Sequence, residues 1–156
     1  MPTPGTVDLT QLSSLAEIII RGGDLHDTQT NVRQILSNNY RVYSTNYGVY
    51  GLSVIINANP AQPATYDQLA QRNPILNKKL SVSVMGTVKG ALRRAGFGML
   101  LYVTPSGDLP DHHTLAVFDW DDEKQSVHHV LPDAAAAAII TAFSSVVENP
   151  YPKSRP

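Results

Sequence analysis

An α+β fold in a single domain is what this sequence predicts, and three observations carry that expectation. The chain has 156 residues, a length that suits one domain. Apolar residues make up 42% and charged residues 16%, which is enough to build a core and too little charge for wholesale disorder. Helical and strand-like patterns are interleaved, but from residue 98 onward strands follow one another instead of alternating with helices. That order favours a single compact domain with a mostly antiparallel sheet of about five strands and about four helices.

Residues 1–7 hold two prolines and a glycine and read as a flexible lead. From Asp8, as N-cap, the spacing of Leu9, Leu12, Leu15, Ala16 and Ile19 predicts a helix halted by Gly22-Gly23. "HDTQTNVRQILSNN" predicts a second helix, capped by Asp27 or Thr28, with Val32, Ile35 and Leu36 inward. "YRVYS" and "YGLSVIIN" read as two strands joined at Asn46-Tyr47-Gly48, the second β-branched enough for the middle of a sheet. After a proline-rich loop, Thr65 caps a short helix that Asn73-Pro74 ends. "KKLSVSVMG" alternates as a strand, and "TVKGALRRAGF" is a helix closed by Gly96. "GMLLYVTP" is an apolar strand. "HHTLAVFDW" and "SVHHVL" predict a hairpin around "DDEKQ". "PDAAAAAIITAFSSVVE" is the clearest helix, with Asp133 as N-cap and its end near residue 148. The domain is thus expected over 8–148, with 149–156 as a disordered, proline-rich tail.

Composition excludes several chemistries. Without cysteine there is no disulfide, thiol nucleophile or cysteine-held metal. Twelve basic and 13 acidic side chains give a formal charge of −1, so binding of DNA by bulk electrostatics is not expected. No apolar run approaches the length of a membrane span, and the first residues lack the basic-then-apolar pattern of a signal peptide. The expectation is a cytoplasmic protein with no membrane partner.

Four of the five histidines fall in residues 110–133, as His112-His113 and His128-His129. With the hairpin turn at Asp122-Glu123, paired positions sum to about 245, so His128 faces Val117 and His129 faces Ala116. The two pairs then sit at opposite ends of the hairpin. That placement, and the absence of a recurrent ligand spacing, argue against a metal site. Adjacent strand residues point to opposite faces, so each pair places one imidazole inward and the other in solvent. A histidine titrating near neutrality can act as general acid or base. His112 or His113, at a strand start after a loop, is the better placed for that role.

The order "LRRAGF", strand, "HHTLAVF", strand, "HHVLPDAAAAAII" resembles the small HicA-type toxin endoribonucleases over about residues 87–145. The resemblance implies a double-stranded-RNA-binding-like fold and a catalytic strand histidine, which falls here on His112 or His113. Pro110-Asp111 stands where that family favours Gly-Ser, and the first 80 residues have no counterpart. Lys89, Arg93 and Arg94 are the basic cluster that could hold an RNA phosphate. Tyr43, Tyr47 and Tyr50, with Trp120, Asp121 and Asp122 at the acidic "DWDDE" tip, could instead form a protein-binding surface. Two functions are therefore expected from different classes. The first is an interaction module, such as an immunity, antitoxin-like or accessory protein of a toxin or defence system. The second is a small toxin-type endoribonuclease. Neither needs a cofactor.

Overall fold

The computed structural model describes residues 17–44, 49–58, 64–105 and 109–153. Its centre is an antiparallel sheet, and the expected α+β class holds. In chain order the elements are β1 (Ile18–Gly22), α1 (Val32–Asn39), β2 (Arg41–Ser44), β3 (Val49–Ile56), α2 (Tyr66–Arg72) and β4 (Lys79–Val84). They continue with α3 (Met85–Arg94), β5 (Phe97–Val103), β6 (His112–Asp119), α4 (Asp133–Ala142) and β7 (Ser145–Glu148). Across the sheet the strands run β5-β6-β3-β1-β4-β7, with β2 also paired to β3.

Strand alternation sorts the side chains. Leu52, Val54 and Ile56 of β3, with Ile19, Met99, Leu101, Leu115 and Val117, pack under α1, α3 and α4 as the main core. The reverse face carries Ile20, Ile55 and Leu80, which α2 covers through Leu69 and Ala70. Among the described residues, then, one face is roofed by three helices and the other by one short helix at one end. α2 itself is fixed by a full capping box between Thr65 and Gln68.

Four expectations need correction. Ile18–Gly22 is a strand and not the end of a helix; residues 8–16 lie outside the described residues. Ile19 and Ile20 are both fully buried, on opposite faces, which suits three consecutive β-branched side chains in a central strand. The second helix is capped by Asn31, whose side chain accepts from the Gln34 amide, rather than by Asp27 or Thr28. The last helix has Pro132 rather than Asp133 at its N-cap, Asp133 being its first helical residue, and it stops at Ala142. Its terminal carbonyls are taken by Ser83 Oγ (to Ala142, 2.8 Å) and His26 Nε2 (to Phe143, 2.6 Å), and Val146 and Val147 then pair with β4. Asn149 continues that anchoring: its amide donates to Lys78, and Lys153 donates to Ile75, so 149–153 pack against the β4 side and do not form a loose tail.

A fifth correction concerns the hairpin. Its register is the expected one, since Phe118 bridges Val127 and the His128 amide donates to Val117 at 2.8 Å. Yet "SVHHVL" forms no strand. β3 already pairs with β6 at His112–Leu115, so only the far end of that edge is open to the returning chain. Tyr40 then wedges in. Its hydroxyl accepts from the Val117 amide (3.1 Å) and donates to the His128 carbonyl (2.7 Å), taking both groups out of direct pairing.

Candidate functional site

The site begins with a strand register. Pairing of β3 with β6 sets Ser53 opposite Thr114 and Ile55 opposite His112, so Ser53 and His112 are diagonal neighbours on the sheet face away from α3 and α4. There the Ser53 hydroxyl meets His112 Nε2 in a short hydrogen bond. The other ring nitrogen, Nδ1, lies 2.8 Å from the Thr104 carbonyl and 2.8 Å from Thr104 Oγ1. A carbonyl can only accept, which assigns the proton to Nδ1 and leaves Nε2 as the acceptor of the serine proton. His112 is buried whereas Ser53 is exposed. Burial pushes the His112 pKa below the usual imidazole range, more than the Thr104 carbonyl raises it, so the ring is neutral at pH 7.

Two further features frame this pair. β1 pairs with β3 only at Ile19 and Ile20, and β2 pairs with it only up to Gly51. Between them β3 has no strand neighbour on that edge among the described residues, and a cleft of about 990 Å³ opens there, lined by Ser53, His112, Thr114, Arg21 and Arg41 among others. Arg21 reaches into the break, where its Nη1 donates to the Ser53 carbonyl at 2.8 Å. It is 8% exposed, and its Nε has no partner among the described residues. Burial lowers its pKa to about 10, which still leaves it cationic at neutral pH.

The second feature is the buttress behind His112. Asp111 is buried and accepts from the Ala58 amide (2.9 Å), Asn73 Nδ2 (2.7 Å), Arg72 Nε (3.1 Å) and Arg72 Nη2 (3.2 Å). Its own amide donates to Asn73 Oδ1 and its carbonyl accepts from Ile56. Burial raises its pKa, but these donors and the Arg72 charge outweigh that and hold the carboxyl below the usual carboxylate range. The loop entering β6 is thereby pinned to the C-terminus of α2.

The other expected residues lie elsewhere. His113 points to the helix-covered face and is fully buried, with Nδ1 on the Asp111 carbonyl and Nε2 unpartnered. Neither member of the first pair is therefore solvated, because both faces of β6 are covered at its start. Lys89, Arg93 and Arg94 belong to α3, on the far side of the sheet from His112. Arg93 stacks 4.1 Å over Trp120, at the opposite end of β6, so the structure does not bring a phosphate-binding arginine pair to the histidine. His128 bonds Asp119 at 2.7 Å, and His129 stacks on Tyr50 with ring centroids 4.0 Å apart. Tyr47 and the side chain of Tyr43 lie outside the described residues. Asp121 is exposed, and Asp122 accepts from the Lys124 and Ser126 amides in a tight turn. Among the described residues no three histidine or acidic side chains converge as a metal-binding group, and no helix is long and apolar enough to cross a membrane.

Ser53, Arg21 and Thr104 were not legible as site residues. Ser53 reads as an ordinary strand serine, and Arg21 as the last turn of a helix. The only hint was a single arginine directly after three isoleucines. No family model, curated protein or solved structure matches this chain.

Proposed function

We propose that this chain is a small hydrolytic enzyme in which Ser53 is the nucleophile and His112 its general base. The observation that carries the reading is the exposed Ser53 hydroxyl on Nε2 of a neutral histidine whose other nitrogen is fixed by a backbone carbonyl. Serine is a weak nucleophile until a positioned base takes its proton. Here Oγ would form a bond to an ester carbonyl carbon or phosphorus as its proton passes to Nε2. The departing alkoxide then takes that proton from Nε2 as its bond breaks. Water then repeats the two transfers and releases Ser53. Thr104 supplies a carbonyl where a triad has a carboxylate, so the imidazolium formed in the reaction gains less stabilisation and modest rates are expected.

The ribonuclease form of this chemistry would have His112 take a proton from a ribose 2′-hydroxyl. It is the less favoured version, since Nε2 already holds Ser53 and the Lys89, Arg93 and Arg94 group faces away. An interaction module is a second reading with its own support. Trp120 (44% exposed) and Val130 (74%) stand out of the surface on either side of the acidic turn, as an apolar contact rimmed by charge would require.

The test is a fluorophosphonate probe, which labels activated serines. Mass spectrometry should find one adduct, at Ser53, absent in Ser53→Ala and formed about 100-fold more slowly in His112→Gln. Circular dichroism would establish that both variants fold. No adduct on folded wild-type protein, or an undiminished rate in His112→Gln, would overturn the reading.

A further inference from the structure

The described part of the molecule holds two buried charges, and they are treated differently. Asp111 has Arg72 as counter-charge. Arg21 has no carboxylate within ion-pairing distance among the described residues, where the ion pairs are Arg72–Asp111 and His128–Asp119. Two acids, Asp24 and Asp27, line the same cleft, but each turns an oxygen back onto its own loop. Asp24 Oδ1 accepts from the His26 amide and Asp27 Oδ1 from the Gln29 amide, both at 2.8 Å.

A guanidinium carries five donor hydrogens in a planar fork suited to an oxyanion. Among the described residues the Arg21 side chain makes one hydrogen bond, to the Ser53 carbonyl. Burying a charge without a counter-charge costs several kcal/mol in general, and a purely structural contact to one carbonyl does not require a charge at all. A neutral donor would close the break in the sheet as well. What a neutral donor cannot do is attract an anion into a cleft whose wall also includes the Ser53 hydroxyl.

We propose that Arg21 is an anion-binding residue of this cleft, and that the substrate carries an oxyanion, either a phosphate ester or a carboxylate, close to the bond that Ser53 attacks. Only the last clause rests on the Ser53–His112 reading. The anion site stands on Arg21 and the cleft alone. Arg21 leaves β1 on the face of Ile19 and its Nη1 reaches the Ser53 carbonyl at the break, and Arg41 and Lys153 on the cleft wall add positive charge at its rim.

The experiment is a titration of ¹⁵N-labelled full-length protein with inorganic phosphate and, separately, with acetate, reading the Arg21 Nε–H resonance in the wild type and the backbone amide resonances of the cleft-lining residues in every variant. Sodium chloride at matched ionic strength is the control. A saturable shift with one of the two oxyanions, absent with chloride, is expected, and the tighter of the two identifies the class of group bound. Arg21→Met should weaken that binding at least tenfold, and Arg21→Lys should retain part of it. If neither oxyanion gives a saturable response, or if binding survives in folded Arg21→Met, the proposal fails. Anion binding without fluorophosphonate labelling would keep this proposal and overturn the serine mechanism. Labelling without anion binding would do the reverse.

Discussion

Asp111→Asn should destabilise the protein by about 3 kcal/mol, and the number follows from which groups surround the carboxylate. One oxygen accepts from the Ala58 amide and Arg72 Nη2, the other from Asn73 Nδ2 and Arg72 Nε. Asparagine keeps the shape but turns one oxygen into an NH₂. Whichever way that amide is oriented, the NH₂ faces two donors and two charge-assisted bonds are lost. At about 1.5–3 kcal/mol each the gross loss is about 3–6 kcal/mol. The lower end applies, because the Arg72 side chain is 44% exposed and can turn to water. Urea denaturation followed by circular dichroism should show a lower midpoint at unchanged slope, with a drop in Tm of about 6–12 °C.

The pH dependence supplies a second reading of the same pair. The Asp111 pKa is lowered in the fold, so its stabilisation is fully present above the unfolded value near 3.9 and is lost as pH falls through the lower folded value. Asp111→Asn should remove that acid-labile component. Arg72→Met, which empties a half-exposed position, should cost only about 1 kcal/mol. A loss of under 1 kcal/mol in Asp111→Asn, or an acid limb identical to wild type, would refute the claim that this carboxylate pins the entrance to β6.

Other outcomes follow from the same packing and hydrogen bonding. Burial lowers the pKa of both His112 and His113, so the unfolded chain binds more protons than the fold below about pH 6.5. Stability should therefore fall on acidification from that point until the folded values are passed, while the Ser53 labelling rate declines only at a pH below the ordinary imidazole range. A labelling midpoint at or above 6.5 would contradict this. Tyr40→Phe leaves the Val117 amide and the His128 carbonyl unpaired and should cost about 1–3 kcal/mol, with faster hydrogen exchange at Val117. In the wild type the Tyr40 phenol should stay protonated up to about pH 12, seen by ultraviolet titration, because burial raises its pKa. Gly51→Ala would drive a methyl group into the Leu115 carbonyl and within 2.8 Å of Thr114 Cγ2. Its expected cost is about 2–4 kcal/mol by thermal unfolding, and a neutral effect would show that β3 and β6 are not as close as described.

Several elements were decided by their own residues. Thr65 and Gln68 cap α2 from three positions apart, Gly96 takes a left-handed φ of 94° after α3, and alternation in "KLSVSV" makes a strand wherever it pairs. Hairpin register was likewise local arithmetic, and Phe118 does meet Val127. What local pattern could not decide is which distant strand lies alongside. The stretch ending in "IIIRGG" continues an apolar stripe and so reads as helix, until β3 and β4 flank it and bury it on both faces. "SVHHVL" alternates well enough for a strand, but β3 holds the edge it needed.

Most of the site belongs to that second kind of information. His112 could be singled out from its sequence because imidazole chemistry is rare and its position at a strand start is local. Its partner Ser53 lies 59 residues earlier, and Arg21 reaches the Ser53 carbonyl from 32 residues before that. A serine in a strand and an arginine after three isoleucines have nothing in their neighbours to mark them. The serine meets an imidazole nitrogen, and the arginine reaches the serine carbonyl, only because antiparallel pairing sets β3 against β6 and leaves the gap between β1 and β2. Composition and periodicity determined which segments would pair and bury; the choice of partners, made by burial across the whole chain, determined where chemistry could occur.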